Sequence, residues 1–295
     1  MAEPEALTAR WGGEADRLDR VLAALGLARS RSRAAELVTE GKVRIDGLLA
    51  SKSGASVAPG SVIVVEGADR YVGRAAHKLI AALDAFGIDP SGRVALDLGA
   101  STGGFTQVLL ERGARAVQAI DVGHDQLAHE LRGDERVRLV EGRNARNLTP
   151  ENLAADTGLA DPPSLVVADL SFISLRLVFS AIAACASDDA QLALLIKPQF
   201  EVGRVRDGVV TSPEQWAEAI RIVLGAAAAN GFAARGLAQS PIAGGSGNRE
   251  FLGFFERAVE TVPTEWESRI AELTGAVPRS AQQRATTSTG GEHVT

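Results

Sequence analysis

The chain has 295 residues, of which 45% are apolar, 23% charged and 4% aromatic, a composition typical of globular proteins. Its single cysteine, Cys185, excludes an internal disulfide and a cysteine-based metal site. No uncharged run reaches the about 18–20 residues that a membrane-spanning helix needs. The start, MAEPEALTAR, carries acids where a signal peptide carries basic residues. These features predict a soluble cytoplasmic protein without a bound metal.

Charge is distributed unevenly along the chain. The net charge is −6, yet residues 17–52 hold eight lysines and arginines against four acids, a local charge of +4. A basic region in an acidic chain is typical of a nucleic-acid-binding module, although charge alone fits a solvated basic surface as well. The candidate RNA-binding residues are Arg17, Arg20, Arg29, Arg31, Arg33, Lys42 and Arg44.

The N-terminal region is predicted to contain two helices followed by short strands. Apolar residues recur there at helical spacing, and glycines at positions 26 and 41 end the two helical runs. An Asp46-Gly47 pair predicts a tight turn after the first strand. The predicted elements are a helix from Leu18 to Leu25, a second helix capped by Ser30 or Ser32, and strands at residues 42–45 and 61–66.

Arginines cluster where the second helix begins. Arg29, Arg31 and Arg33, with the free backbone amides of that helix start, would form an anion site suited to a phosphate backbone. Residues 17–67, with RLDRVLAALGLARSRSRAAELVTEGKVRIDG followed by SVIVVEG, resemble the S4 RNA-binding domain. The resemblance implies a small α+β RNA-binding domain. We expect a flexible N-terminus at residues 1–16 before it and a linker at residues 68–73 after it.

From residue 74 the pattern changes to alternating helices and strands. A helix is predicted at residues 75–86, and Ser212-Pro213-Glu214 starts another that runs to Ala229. The alternation predicts an α/β domain with a doubly wound, mostly parallel sheet, whose last two strands form an antiparallel pair at one edge. This domain covers residues 74–277, and the polar residues 278–295 are predicted to be a disordered tail. The predicted strands are residues 94–98, 116–120, 137–140, 165–168, 191–196, 236–240 and 250–255.

A glycine-rich turn follows the first strand of this domain. Asp97 lies in the strand, and the turn reads Gly-Ala-Ser-Thr-Gly-Gly-Phe, which is neither the dinucleotide fingerprint nor a phosphate loop. Asp121 ends the next strand, where an acid can bind both ribose hydroxyls of an adenosine. Either element alone fits a tight turn or a helix cap, but the two together favour an adenosine-type cofactor.

The turn resembles motif I of the S-adenosylmethionine-dependent methyltransferases, in which an acid precedes the first glycine. The resemblance implies S-adenosyl-L-methionine as cofactor, a cationic ligand that explains why acids rather than a lysine surround the turn. The candidate cofactor-binding residues are Asp97, Gly99, Ala100, Ser101, Thr102, Gly103, Gly104, Phe105, Asp121, Asn144 and Asp169.

Two further strands end in charged residues. Asp169 follows the strand at 165–168, and Lys197 follows the strand at 191–196. The carboxyl ends of adjacent parallel strands are where open α/β sheets hold reacting ligands, although a charge at a strand end is also common without any function. Lys78 on the predicted helix and Glu250 at the head of the last strand have, taken alone, no more than a solvent-facing role.

Residues 17–257 closely resemble the TlyA family, whose members are known as ribosomal RNA 2′-O-methyltransferases and as haemolysins. The motifs are the S4 segment, A-H-K-L, D-x-G-A-S-T-G-G-F-T, V-A-D-L-S-F-I-S-L, K-P-Q-F-E-V-G and S-G-N-x-E. The resemblance implies a Rossmann-like, FtsJ-like catalytic domain with a Lys-Asp-Lys-Glu tetrad at Lys78, Asp169, Lys197 and Glu250. Residues 69–72 read D-R-Y-V where characterised relatives often carry R-x-W-V.

The resemblance implies methyl transfer to a ribose 2′-hydroxyl, of cytidine in 16S or 23S rRNA or both, with ribosomal RNA or ribosomal subunits as partners. In this hypothesis Lys197 accepts or orients the hydroxyl proton, while Asp169 and Glu250 orient the lysines and the nucleophile. Three alternatives remain at this point: a membrane-active haemolysin, an RNA-binding protein with an inactive methyltransferase domain, and a nicotinamide-dependent reductase, which the spacing of the glycines disfavours. The absence of a spanning segment disfavours the first, and the complete set of motifs disfavours the second.

Overall fold

The computed structural model describes residues 6–28, 30–66, 71–203, 205–258 and 265–277. The chain divides into two compact units, Met1–Val72 and Gly73–Thr295. Three predictions lie outside the described residues: the placement of Arg29, residues 68–70 of the linker, and the tail at residues 278–295.

The first unit combines two helices with a four-stranded antiparallel sheet of order β1-β6-β3-β4. Leu18 and Leu22 of α1 are fully buried in one apolar core with Ile63 of β6. Ser30 is the residue that caps α2, because its Oγ accepts a hydrogen bond from Arg33 N. The elements are β1 (Leu7–Arg10), β2 (Asp16–Arg17), α1 (Leu18–Ala24), α2 (Arg31–Thr39), β3 (Val43–Ile45), β4 (Leu48–Leu49), β5 (Ser56–Val57) and β6 (Val62–Val65).

The N-terminal strand was not predicted from the sequence. Residues 1–16 were expected to be flexible, whereas the structure pairs β1 with β6 in antiparallel register from Leu7↔Val65 to Arg10↔Val62. Trp11 extends the contact: its backbone N donates to Ser61 O, and its ring packs against the core of the unit. The expectation of a flexible segment is therefore wrong for residues 7–11.

The second unit is built on a seven-stranded sheet of order β12-β13-β11-β10-β7-β8-β9. Strands β7 to β11 are parallel, and β13 is antiparallel to both β11 and β12, so the predicted doubly wound fold with an antiparallel edge pair is confirmed. The elements are α3 (Ala76–Phe86), β7 (Val94–Leu98), α4 (Gly104–Glu111), β8 (Ala116–Ile120), α5 (His129–Arg132), β9 (Val137–Val140), α6 (Pro150–Thr157), β10 (Leu165–Ala168), α7 (Phe179–Cys185), β11 (Gln191–Ile196), α8 (Pro198–Glu201), α9 (Pro213–Ala229), β12 (Phe232–Gln239), β13 (Phe251–Arg257) and α10 (Glu265–Thr274).

Strand β12 begins at Phe232, earlier than the predicted strand at 236–240. A bulge between Ala234 and Gly236 interrupts the register with β13 and hides the alternation in the sequence. Gly236 is required there because a Cβ at this position would lie 2.6 Å from the ring of Phe86. The short helix α10 was not predicted at all.

The topology brings several chain segments to one edge of the sheet. Parallel strands present their carboxyl ends at the same edge, and an antiparallel strand presents its amino end there. Asp169 and Lys197 directly follow β10 and β11, and Glu250 directly precedes β13. These residues therefore meet although they are far apart in the chain.

Candidate active site

Four charged side chains from α3, β10, β11 and β13 form one cluster. Lys78 Nζ donates to Glu250 Oε2 over 2.7 Å and to Asp169 Oδ2 over 3.4 Å. Lys197 Nζ lies 2.6 Å from Asp169 Oδ1 in an ion contact, and donates a hydrogen bond to Ser171 Oγ over 2.9 Å. The structure thus brings together all four residues of the predicted tetrad.

The cluster is buried. Lys78, Lys197 and Glu250 are 5%, 7% and 2% exposed. Two ammonium and two carboxylate groups compensate one another, which is what charged groups require when they leave water. Asp169 is the shared member, because one carboxylate oxygen faces each lysine.

The glycine-rich turn contacts this cluster directly. Gly99 has a φ of +85°, and a Cβ on it would lie 2.9 Å from the backbone oxygen of Asp169. The next helix begins after Gly103, whose φ is +98°. Both positions require glycine, since an L side chain is strained at these angles. A ligand bound at the turn would therefore lie beside the tetrad.

A cavity of about 900 Å³ opens next to the turn. Three of the predicted cofactor residues, Gly99, Asp121 and Asn144, contribute to its wall. Asp121 also accepts hydrogen bonds from the backbone amides of Ser101 and Gly123, over 2.8 and 2.7 Å, so it shapes the turn as well as facing the cavity.

Asp97 is fully buried at the end of β7. Its Oδ2 accepts a hydrogen bond from Thr106 Oγ1 over 2.7 Å, and its Oδ1 has no partner. Burial, reinforced by the neighbouring carboxylates of Asp169 and Asp121, raises the pKa of Asp97 to about 7. The carboxylates of Asp97 and Asp121, with the unpaired Oδ1 of Asp97, fit a cationic ligand such as an ammonium or sulfonium group.

Sequence reasoning missed the residues that surround the tetrad. Ser171 receives the hydrogen bond of Lys197, and Phe172 is 93% exposed with a φ of +64°. The ring centroids of Phe172 and Phe200 are 5.4 Å apart. Lys197 Nζ lies 5.9 Å from the ring centroid of Phe200. The signal was present in the sequence, because these residues immediately follow Asp169 and Lys197.

In the first unit, the described members of the predicted RNA-binding set are held in ion pairs. Asp19 pairs with Arg17 and Arg31, and the hydrogen bond from Arg17, with that from Arg31, lowers the pKa of Asp19 to about 2. Glu40 pairs with Arg33 and Lys42. The remaining pairs are Arg33–Glu36, Arg20–Asp16 and Arg44–Glu66.

Two family models match the chain in consecutive segments. The FtsJ-like methyltransferase model matches residues 71–257, and the S4 domain model matches residues 16–63. The 16S/23S rRNA (cytidine-2′-O)-methyltransferase TlyA of Mycobacterium tuberculosis is 50% identical over 241 residues, 80% of this chain and 88% of its own. The chain belongs to the TlyA family. It is accordingly a methyltransferase with an N-terminal S4 domain.

Other TlyA-family relatives carry haemolysin names. Hemolysin A of Brachyspira hyodysenteriae is 34% identical over 242 residues, 81% of this chain and 99% of its own. The solved structure of a hemolysin-named protein from Streptococcus thermophilus is 34% identical, covers 94% of this chain and 99% of its own, and has a TM-score of 0.69. Among the helices that the structure describes here, none is long and apolar enough to cross a membrane.

Proposed function

We propose that this TlyA-family protein transfers a methyl group from S-adenosyl-L-methionine to a ribose 2′-hydroxyl of ribosomal RNA, at cytidine in 16S or 23S rRNA or both. The observation that carries the proposal is the buried cluster of Lys78, Asp169, Lys197 and Glu250 against the glycine-rich turn. The names of similar proteins support ribosomal RNA as the class of substrate. The reaction would take place in the cytoplasm, where ribosomal RNA is found.

The acids around the turn fit the proposed cofactor. Asp97 Oδ1 is the unpaired acceptor that would receive the ammonium group of the methionine moiety, and Asp121 and Asn144 would receive the adenosine. When bound, S-adenosylmethionine supplies an electrophilic methyl group on a sulfonium. The nucleophile toward that methyl group is the ribose hydroxyl, and the tetrad supplies groups that orient this hydroxyl and move its proton.

Lys197 is the residue that acts on the hydroxyl. The ribose oxygen forms a bond to the methyl carbon while the carbon–sulfur bond breaks, and the hydroxyl proton must leave. Lys197 Nζ, fixed by Asp169 Oδ1 and Ser171 Oγ, orients the hydroxyl and takes this proton while it passes one of its own to Asp169 Oδ1. Lys78 and Glu250 hold Asp169 in position from the opposite side. Holding the reacting atoms in line can contribute about 7–11 kcal/mol to lowering the barrier.

An exposed aromatic ring beside the tetrad supports a nucleotide substrate. Phe172 presents nearly its whole ring to solvent and packs against Phe200 next to Lys197. Bases of single-stranded RNA stack on such rings irrespective of their sequence. The cations of the S4 domain would bind phosphates of the same RNA.

Mapping of 2′-O-methyl marks tests the proposal. Ribosomal RNA from cells that lack the gene is incubated with the protein and S-adenosylmethionine, and methylated riboses are located by their resistance to alkaline cleavage. We expect new marks at one or a few cytidines, and none with the Lys197→Ala variant. Methylation confined to bases, or no methylation of RNA from either subunit, would refute the assignment.

A further inference from the structure

A buried carboxylate outside the tetrad connects the two loops that carry Asp169 and Lys197. Glu201 ends α8, the short helix after Lys197, and is 7% exposed. Its Oε1 accepts a hydrogen bond from Leu175 N over 2.8 Å, and its Oε2 accepts one from Ser174 Oγ over 2.5 Å. Burial raises the pKa of Glu201, while these two hydrogen bonds oppose the rise.

Both partners of this carboxylate depend on it. Ser174 and Leu175 are 8% and 2% exposed, and they begin a 3-10 helix at Leu175–Leu177 that follows the Asp169 loop. A buried amide or hydroxyl that loses its acceptor is unfavourable in a folded protein. Glu201 therefore fixes the far end of the loop whose near end is the catalytic Asp169.

The fixed loop contains residues that face the chemistry. Ser171 accepts the hydrogen bond of Lys197 Nζ, and Phe172 holds a left-handed backbone angle that a phenylalanine adopts only under constraint. The constraint is available from two sides: β10 holds the loop before Ser171, and Glu201 holds it after Phe172. Glu201 thus adds to the packing of Ile173 and Leu175 against the core in holding the loop at this angle.

We propose that Glu201 is a positioning residue for methyl transfer. Through its hydrogen bonds to Ser174 and Leu175, it holds Ser171 and Phe172 in place beside Lys197. The inference deepens the proposed function, because it concerns the same hydroxyl and the same lysine. Glu201 does not touch the reacting atoms itself. Its removal should lower turnover more than it lowers cofactor binding.

Kinetics of substituted proteins separate positioning from folding. We expect Glu201→Ala to lower kcat for ribosomal RNA by at least thirtyfold while the Kd for S-adenosylmethionine, measured by calorimetry, changes less than threefold. Glu201→Gln keeps an acceptor for Leu175 N and should recover part of the lost kcat. Glu214→Ala is the matched control, because Glu214 also accepts from a serine hydroxyl, that of Ser212, but is exposed on α9. This control should retain wild-type kcat.

A second readout does not depend on turnover. Phe172→Trp adds one tryptophan to the three of the chain, and the difference from the parent protein reports on the loop. We expect Glu201→Ala to change this difference emission and to lower its anisotropy, with Glu201→Gln intermediate. If the wild-type protein methylates no RNA but this emission responds as stated, the proposed function fails and the positioning role stands. Wild-type kcat together with unchanged emission in Glu201→Ala would overturn the inference.

Discussion

Cations and carboxylates form pairs in both units of the chain, but the pairs of the tetrad differ in burial from the pairs of the S4 domain, apart from those of Asp19, whose side chain is 8% exposed. In the S4 domain Arg44 and Glu66 meet at 2.7 Å with 41% and 49% of their side chains exposed. In the methyltransferase domain Lys78 and Glu250 meet at the same distance with 6% and 2% exposed. Distance therefore does not distinguish the two sets, whereas access to water does.

The difference in burial separates exchangeable pairs from fixed ones. An exposed pair contributes little free energy, so an RNA phosphate can replace the carboxylate at small cost. A buried pair cannot lose one member without leaving an uncompensated charge in the protein interior. The exposed set suits transient binding of a polyanion, and the buried set suits a geometry that stays constant through a reaction.

The largest expected effect is on catalysis by the buried set. Lys197→Ala removes the group that orients the hydroxyl and takes its proton, so we expect kcat for methyl transfer to fall by about 10²–10⁴-fold. The Kd for S-adenosylmethionine, measured by calorimetry, should change little because the turn and its acids remain. Parallel loss of cofactor binding would indicate that Lys197 supports the fold of the site instead.

The two ion pairs of equal length, Lys78–Glu250 and Arg44–Glu66, allow a direct test of how burial affects the free energy of unfolding. Lys78→Ala leaves Glu250 buried without its partner, and we expect the free energy of unfolding to fall by about 3–5 kcal/mol. Arg44→Ala breaks the exposed pair at the same distance and should cost at most about 1 kcal/mol. Denaturant titrations of both variants measure the contrast. Equal losses would remove the distinction between the two sets.

Asp97 is a buried acid without a cationic partner among the described residues, and it predicts a pH dependence of stability. Its pKa is about 7 in the folded protein and 3.8 as the reference value. The folded state binds a proton on Asp97 more tightly than the unfolded state does. The stability that protonated Asp97 contributes is therefore complete below about pH 4 and is lost as pH rises through about 7. Relative to Asp97→Asn, the wild-type unfolding free energy should decline by up to about 4 kcal/mol over that range. Urea titrations at several pH values measure it, and parallel curves would contradict the assignment.

The smallest effect concerns the exposed set. Glu40 pairs with Arg33 and Lys42, so Glu40→Gln releases Lys42 for phosphate and leaves Arg33 paired with Glu36 alone. We expect RNA affinity to rise about two- to fivefold, which corresponds to about 0.4–1 kcal/mol. Glu130→Gln removes the same charge from an exposed position in the other unit and serves as control. Filter binding at several salt concentrations measures both, and an unchanged or lower affinity in Glu40→Gln would show that these cations do not contact RNA.

Much of the second unit could be predicted because its strands are short buried runs with clear ends. The strands at 94–98, 116–120, 137–140, 165–168 and 191–196 are confirmed with the predicted boundaries. The strand β1 was missed, since four residues of alternating burial give a weak signal and their partner is distant in sequence.

The contacts within the site could not be predicted from spacing. Lys78 and Glu250 are 172 positions apart, and only the placement of β13 beside β11 brings them together. Asp169 and Lys197 were candidates from their positions at strand ends, whereas Lys78 and Glu250 came from motif resemblance alone. Likewise, nothing in the run K-P-Q-F-E indicates that the carboxylate of Glu201 is directed at the neighbouring loop rather than at solvent, because that depends on which side chains are buried after folding.

The position of β13 between β11 and β12 has a consequence for protein synthesis. Glu250 lies just before this strand, which pairs on both sides with strands made earlier. The glycine-rich turn, Asp169 and Lys197 all leave the ribosome before it, so a nascent chain can fold around β7–β11 while Lys78 still lacks its closest carboxylate. A prematurely terminated product that lacks β13 would carry three of the four tetrad residues and no assembled active site. Under the proposed roles of the tetrad, the methyltransferase becomes competent only when nearly all of its catalytic domain has been translated.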